Sequence, residues 1–157
     1  MKVFKFLTIA IFFIASCQGE PSKTTDVKDE MENMDHEKTL VVPWSVQTND
    51  STHVMEIKKD PAADMANLKP ADIVDALNIK YPEIKLHWVK LEGNKAVVSI
   101  ADASYLTQQS GSEGAQAYLA EATYSLTELK GIEAVEFSFK EGDHARPGVY
   151  KREDFGL

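Results

Sequence analysis

Residues 110–140 read SGSEGAQAYLAEATYSLTELKGIEAVEFSFK, and the apolar spacing in this stretch changes period once. Ala115, Tyr118, Leu119, Ala122, Leu126 and Leu129 fall at offsets 0, 3, 4, 7, 11 and 14, which trace one face of a helix. Ser110 followed three residues later by Glu113 has the form of a capping box, so the helix is expected to start there. Lys130 stands where the negative end of the helix dipole favours a cation. Gly131 is placed to take a left-handed terminal conformation with Ile132 packing back. After Gly131 the period becomes two: Val135, Phe137 and Phe139 share a face, so residues 132–140 read as a strand that EGDH (141–144) ends.

Upstream, IKLHWVKLEGNKAVVSIAD (84–102) gives two strands around EGNK, a turn in which Gly93 and Asn94 both tolerate positive φ. The phase slips inside the first strand, because Ile84, Leu86 and Trp88 share a face while Val89 and Leu91 take the other. A central strand covered on both faces, or a bulge near Trp88, accounts for the slip. PADIVDALNIKYP (70–82) opens with a first-turn proline and lines up Ile73, Ala76, Leu77 and Tyr81 until Pro82 stops it. TLVVPWSV (39–46) and THVMEIKK (52–59), separated by a TND turn, form a β-hairpin, with Pro43 at an edge or bulge. The fold class expected is α+β, a mixed sheet packed against two helices.

The chain before this domain has a different character. Lys2 and Lys5 precede an apolar run from Phe6 to Ala15 that is too short to span a membrane, and Ala15 and Ser16 are small: the layout of a secretory signal. Ile14-Ala15-Ser16-Cys17, which contains the one cysteine of the 157 residues, resembles the lipobox of bacterial lipoproteins. The resemblance implies cleavage between Ser16 and Cys17 and a diacylglyceryl thioether on Cys17. Two or more acyl chains anchor stably where one does not. Gln18, in place of Asp, argues against retention in the inner membrane of a Gram-negative cell. Residues 1–16 are therefore expected to be a signal peptide, and the protein an exported one. It would be lipid-anchored in the cell membrane or outer membrane, with its domain in the periplasm or outside the cell.

Residues 18–38, QGEPSKTTDVKDEMENMDHEK, hold almost no large apolar side chain and cannot bury enough surface to offset chain entropy. They read with Cys17 as a disordered linker, 17–38, that spans on the order of 25 Å as a coil and roughly 70 Å when stretched. A solvated helix over its second half would shorten that reach. Residues 39–157 then make one domain, burying roughly two thirds of their unfolded surface. Loss of the signal removes two lysines and no acid, leaving 15 basic against 25 acidic residues, a net charge of −10. Such a chain is a poor ligand for nucleic acid.

The segment GNKAVVSIADASYLTQQSGSEGAQAYLAEATYSLTELKGIEAVEFSFKEG (93–142) resembles the GerMN domain of bacterial envelope lipoproteins, named after a spore-germination protein. The matching features are Ala101-Asp102-Ala103-Ser104 after a strand, the Gly111-Ser112 helix start, the helix ending YSLTELKGI, and the strand VEFSFKEG closing on Gly142. The resemblance covers about 50 residues strongly. It implies a non-catalytic α/β module of the cell envelope that docks on envelope proteins or peptidoglycan, or self-associates. This chain carries one copy where some members have two, which puts any role needing tandem domains in doubt.

No enzyme, metal or cofactor signature is evident. His36, His53, His87 and His144 lack metal-ligand spacing, GSEG (111–114) is not the spaced Gly-x-Ser-x-Gly of a nucleophile elbow, and no GK[ST] follows a glycine loop. The C-terminal EGDHARPGVYKREDF gathers Asp143, His144, Arg146, Tyr150, Lys151 and Arg152 around a turn shaped by Gly142, Pro147 and Gly148. One reading is a recognition surface (Asp143, His144, Arg146, Tyr150, Arg152) for a polyanionic envelope polymer or a partner protein. The other is a closing strand, Val149-Tyr150, flanked by solubilising charges. A cell-wall hydrolase is a competing function, and it requires Asp102, Asp143 and His144 to converge in one cleft. A purely structural spacer lipoprotein is a third.

Overall fold

The computed structural model describes residues 40–52 and 54–157. Cys17, Ser16, the signal, the linker, His36 and His53 lie outside them. The described chain is α+β, with two sheets and two α-helices.

β1 (Trp44–Thr48) and β2 (Met55–Lys59) pair antiparallel, Val46 opposite Ile57, as a separate two-stranded sheet. Pro43 precedes β1, and its carbonyl accepts from the Asp60 amide at 2.8 Å, so the ring costs the ladder nothing. α1 (Pro70–Lys80) starts on its first-turn proline and buries Ile73, Val74, Ala76 and Leu77. β3 (Leu86–Glu92) and β4 (Lys95–Ile100) form the expected hairpin, with Gly93 at φ 63°. The phase slip is a bulge: Trp88 faces Val98 and Lys90 faces Val97, leaving Val89 extra. β3 is an edge strand, so the alternative of a central strand does not hold.

β4 then passes through a π-helix (Tyr105–Gln109) and α2 (Gly111–Leu126) into β5 (Ala134–Ser138), which pairs parallel to β4. β6 (Gly148–Tyr150) closes the sheet antiparallel to β5, in the order β3-β4-β5-β6. Alternation sends Ala96, Val98 and Ile100 of β4, with Val135 and Phe137 of β5, into one core with Ile73 and Leu77 of α1 and Ala115, Leu119, Ala122 and Leu126 of α2. Burying a side chain the size of Phe137 contributes about 1.5–3 kcal/mol. The opposite face carries Lys90, Glu92, Lys95 and Glu136 in ion pairs.

Two helix-end expectations need correction. Ser110 does not cap α2: its backbone is helical (φ −72°, ψ −14°), and its hydroxyl donates backwards to the Leu106 carbonyl at 2.7 Å. The π-helix before it puts that carbonyl in reach and removes the extended geometry that a capping box needs. At the other end α2 stops at Leu126, short of Lys130. There Arg152 donates to the Tyr124 carbonyl at 3.0 Å, supplying a donor that a further helical turn would have provided, and also to Thr127 Oγ1 at 2.8 Å. Gly131 does take the left-handed conformation (φ 89°), but in the turn that brings the buried Ile132 back, outside the helix.

Candidate functional site

The β5–β6 connection is held in place by the π-helix. A helix interior uses its carbonyls internally, but here the Thr107 carbonyl accepts from the His144 amide at 3.0 Å, and Gly142 N–H reaches the Ala145 carbonyl at 3.2 Å. The approach is so close that a Cβ on Gly142 would lie 2.5 Å from Gln108 Nε2 and 2.6 Å from Thr107 Cβ. Gly142→Ala is therefore expected to cost about 1–2 kcal/mol through overpacking. Faster amide hydrogen exchange at His144 would locate the damage, and an unchanged urea midpoint would refute the close packing.

Seated this way, Asp143, His144, Arg146 and Tyr150 line one open groove of about 440 Å³, together with Gln116 of α2 and Phe155. His144 Nδ1 lies 3.3 Å from Ser112 Oγ, in the first turn of α2. Arg146, 81% exposed, pairs with Glu141 at 3.0 Å, and its carbonyl accepts from the Tyr150 hydroxyl at 2.7 Å. Tyr150 stacks on Phe155 with ring centroids 5.7 Å apart and meets Phe137 edge-on. Burial pushes its phenol pKa up, with Asp154 adding to the effect. Two carboxylates, Asp143 and Asp154, border the groove against one guanidinium, which suits a polypeptide or zwitterionic segment better than a polyanion.

Arg152 does not share this groove. It lies over the rings of Trp44 and Tyr124, 5.1 and 5.0 Å from their centroids, and binds Glu128 at 2.8 Å. The reason is the short 3₁₀ turn Arg152–Asp154, which carries the chain round to the end of α2. Lys151 lines a different depression, with Ile132 and Glu133. Asp102 lines a third, with Lys140 and Glu141, where the hydroxyl and amide of Ser104 bind its carboxylate and hold its pKa low. The convergence of Asp102 with His144 that the hydrolase reading requires is not found. Among the described residues no three His, Cys, Asp or Glu side chains gather as a metal site, and no helix is long and apolar enough to cross a membrane.

Two carboxylates escaped the sequence reading, one in α2 and one just past its C-terminal end. Glu121, fully buried, accepts from Lys80 Nζ at 2.5 Å, the Tyr81 hydroxyl at 2.9 Å and the Val46 amide at 3.2 Å. Glu128 accepts from Trp44 Nε1 at 3.1 Å, from Lys59 and from Arg152. Together they fasten the β1–β2 hairpin, α1 and the C-terminal turn to α2 and the residues just after it. Their seven-residue spacing, two turns of the longer helix that the sequence predicts, is the sequence signal that could have placed them on one side.

No protein-family model matches the chain. No solved structure matches it either. An uncharacterized protein of Caenorhabditis elegans is 39% identical over 51 residues, 32% of this chain, and the chain spans 7% of that protein's length. The likeness carries no function across.

Proposed function

We propose that the chain is a lipid-anchored, non-catalytic binding or assembly module of the cell envelope, of the GerMN type. The observation that carries the reading is the groove, where four of the side chains picked out as a recognition surface lie together. The strand, helix and parallel strand built from residues 95–138 support the resemblance borne by that segment. The anchor rests on Cys17 and the sequence before it. The groove takes a segment of an envelope protein or a peptidoglycan stem peptide, and the linker lets the domain reach it from the membrane.

The test is mild crosslinking in native envelope followed by recovery of the full chain. A discrete partner is expected with the wild type, and Arg146→Glu together with His144→Ala should reduce its yield roughly tenfold, as hot-spot losses do. Cys17→Ala should abolish palmitate labelling. Equal recovery from wild type and groove variant would sink the groove assignment, and unaltered labelling without Cys17 would sink the anchor.

A further inference from the structure

β3 is an edge strand whose outer side is occupied for only part of its length. At its start the Asn78 side chain does what a neighbouring strand would do: its Nδ2 donates to the Leu86 carbonyl at 2.9 Å, and its Oδ1 accepts from the Leu86 amide at 2.8 Å. Beyond the bulge nothing among the described residues takes that place. The two-residue turn Gly93-Asn94 makes Glu92 and Lys95 the closing hydrogen-bonded pair, so the next residue back, Leu91, turns its N–H and C=O away from β4. Leu91 and Val89 are 50% and 51% exposed at this free stretch. Unprotected edges of this kind accept another strand.

The local sequence Lys90-Leu91-Glu92 is self-complementary about its centre. In an antiparallel pair with a second copy about a two-fold axis at Leu91, Lys90 faces the partner's Glu92 and Glu92 faces the partner's Lys90. Leu91 meets its own counterpart. Both charge pairs lie on the helix-free face of the sheet, where Lys90 already binds the Glu92 of its own strand at 2.6 Å. The bulge at one end and the turn at the other confine pairing to this short stretch, and an isologous contact closes at two copies.

We propose that the free end of β3, centred on Leu91, is a homodimerisation edge through which two copies join their four-stranded sheets. The inference rests on the assembly reading above and names the self-contact within it. So short a joint is weak in bulk solution. It becomes populated where tethering raises the local concentration.

The experiment is oxidative crosslinking of the full-length anchored chain in native membranes. Paired strands hold opposed Cα atoms about 5.5 Å apart, within disulfide reach, so Leu91→Cys is expected to give a covalent dimer. Val149→Cys, equally exposed on β6, is the control and should stay monomeric. Adding Lys90→Glu to Leu91→Cys should lower the dimer yield roughly tenfold by setting like charges opposite each other, and adding Glu92→Lys as well should restore it. Equal yields from Leu91→Cys and Val149→Cys, or no response to charge reversal, would overturn the proposal. Partner recovery through the groove is read separately, so a monomer that still captures its partner refutes this contact and leaves the module reading standing.

Discussion

Glu121→Ala is expected to lower the unfolding free energy by about 3 kcal/mol. The carboxylate is fully buried, and its removal strands the Tyr81 hydroxyl and the Val46 amide while freeing a half-exposed Lys80 that water can resolvate. Each buried group left without its partner costs about 1–3 kcal/mol. The solvated lysine holds the total below the upper range for breaking a buried ion pair. Glu121→Gln keeps an acceptor for the two neutral donors and should lose about 1 kcal/mol. Urea denaturation gives both values. Hydrogen exchange at Val46 should accelerate more than at Val98, because the carboxylate holds the hairpin and not the main sheet. Equal losses for Ala and Gln would mean that the hydrogen bonds to Tyr81 and Val46 contribute nothing.

The second large effect depends on pH. Lys59 and Arg152 hold the Glu128 carboxyl down to about 2, with Trp44 assisting against the opposing effect of burial. In the unfolded chain the same group titrates near 4.3. A depressed carboxyl pKa stabilises the fold above the unfolded value, and that contribution fades as pH falls from about 5 towards 2. With Lys59 partly exposed to solvent, screening reduces the contribution to about 2 kcal/mol. Wild type should therefore exceed Glu128→Gln in stability by that amount at pH 7, and the two should converge near pH 2. A gap that stays constant across this range would show that the charge on Glu128 is not what the site uses.

Much of the fold was legible because it rests on local periodicity. The 3.6-residue stripe of α2, the alternation in β4 and β5, the proline that opens α1 and the phase slip at Trp88 each report a segment's own geometry. The capping box was misleading for the same reason: Ser110 and Glu113 have the right spacing, but a π-helix just upstream changes what Ser110 can reach. In the groove, Asp143, His144, Arg146 and Tyr150 were found from a charge cluster in an otherwise acidic chain. Arg152, two residues from Tyr150, looked equivalent in sequence and faces elsewhere.

By itself, the sequence determined the α+β class, the order of its elements and the chemical character of the C-terminal loop. These depend on side-chain spacing within a few turns or a few strand residues, and short-range sterics write that spacing directly into the chain. Only the tertiary structure decided that Glu121 and Glu128 hold the hairpin and the C-terminus to α2 and its C-terminal end, that Arg152 belongs to that cluster and not to the groove, and that half of the β3 edge is left open. Those outcomes depend on which distant segments meet: Val46 and Glu121 are 75 residues apart in the chain, Trp44 and Glu128 are 84. A buried carboxylate carries no local mark of its partners, because the donors that neutralise it are chosen by packing.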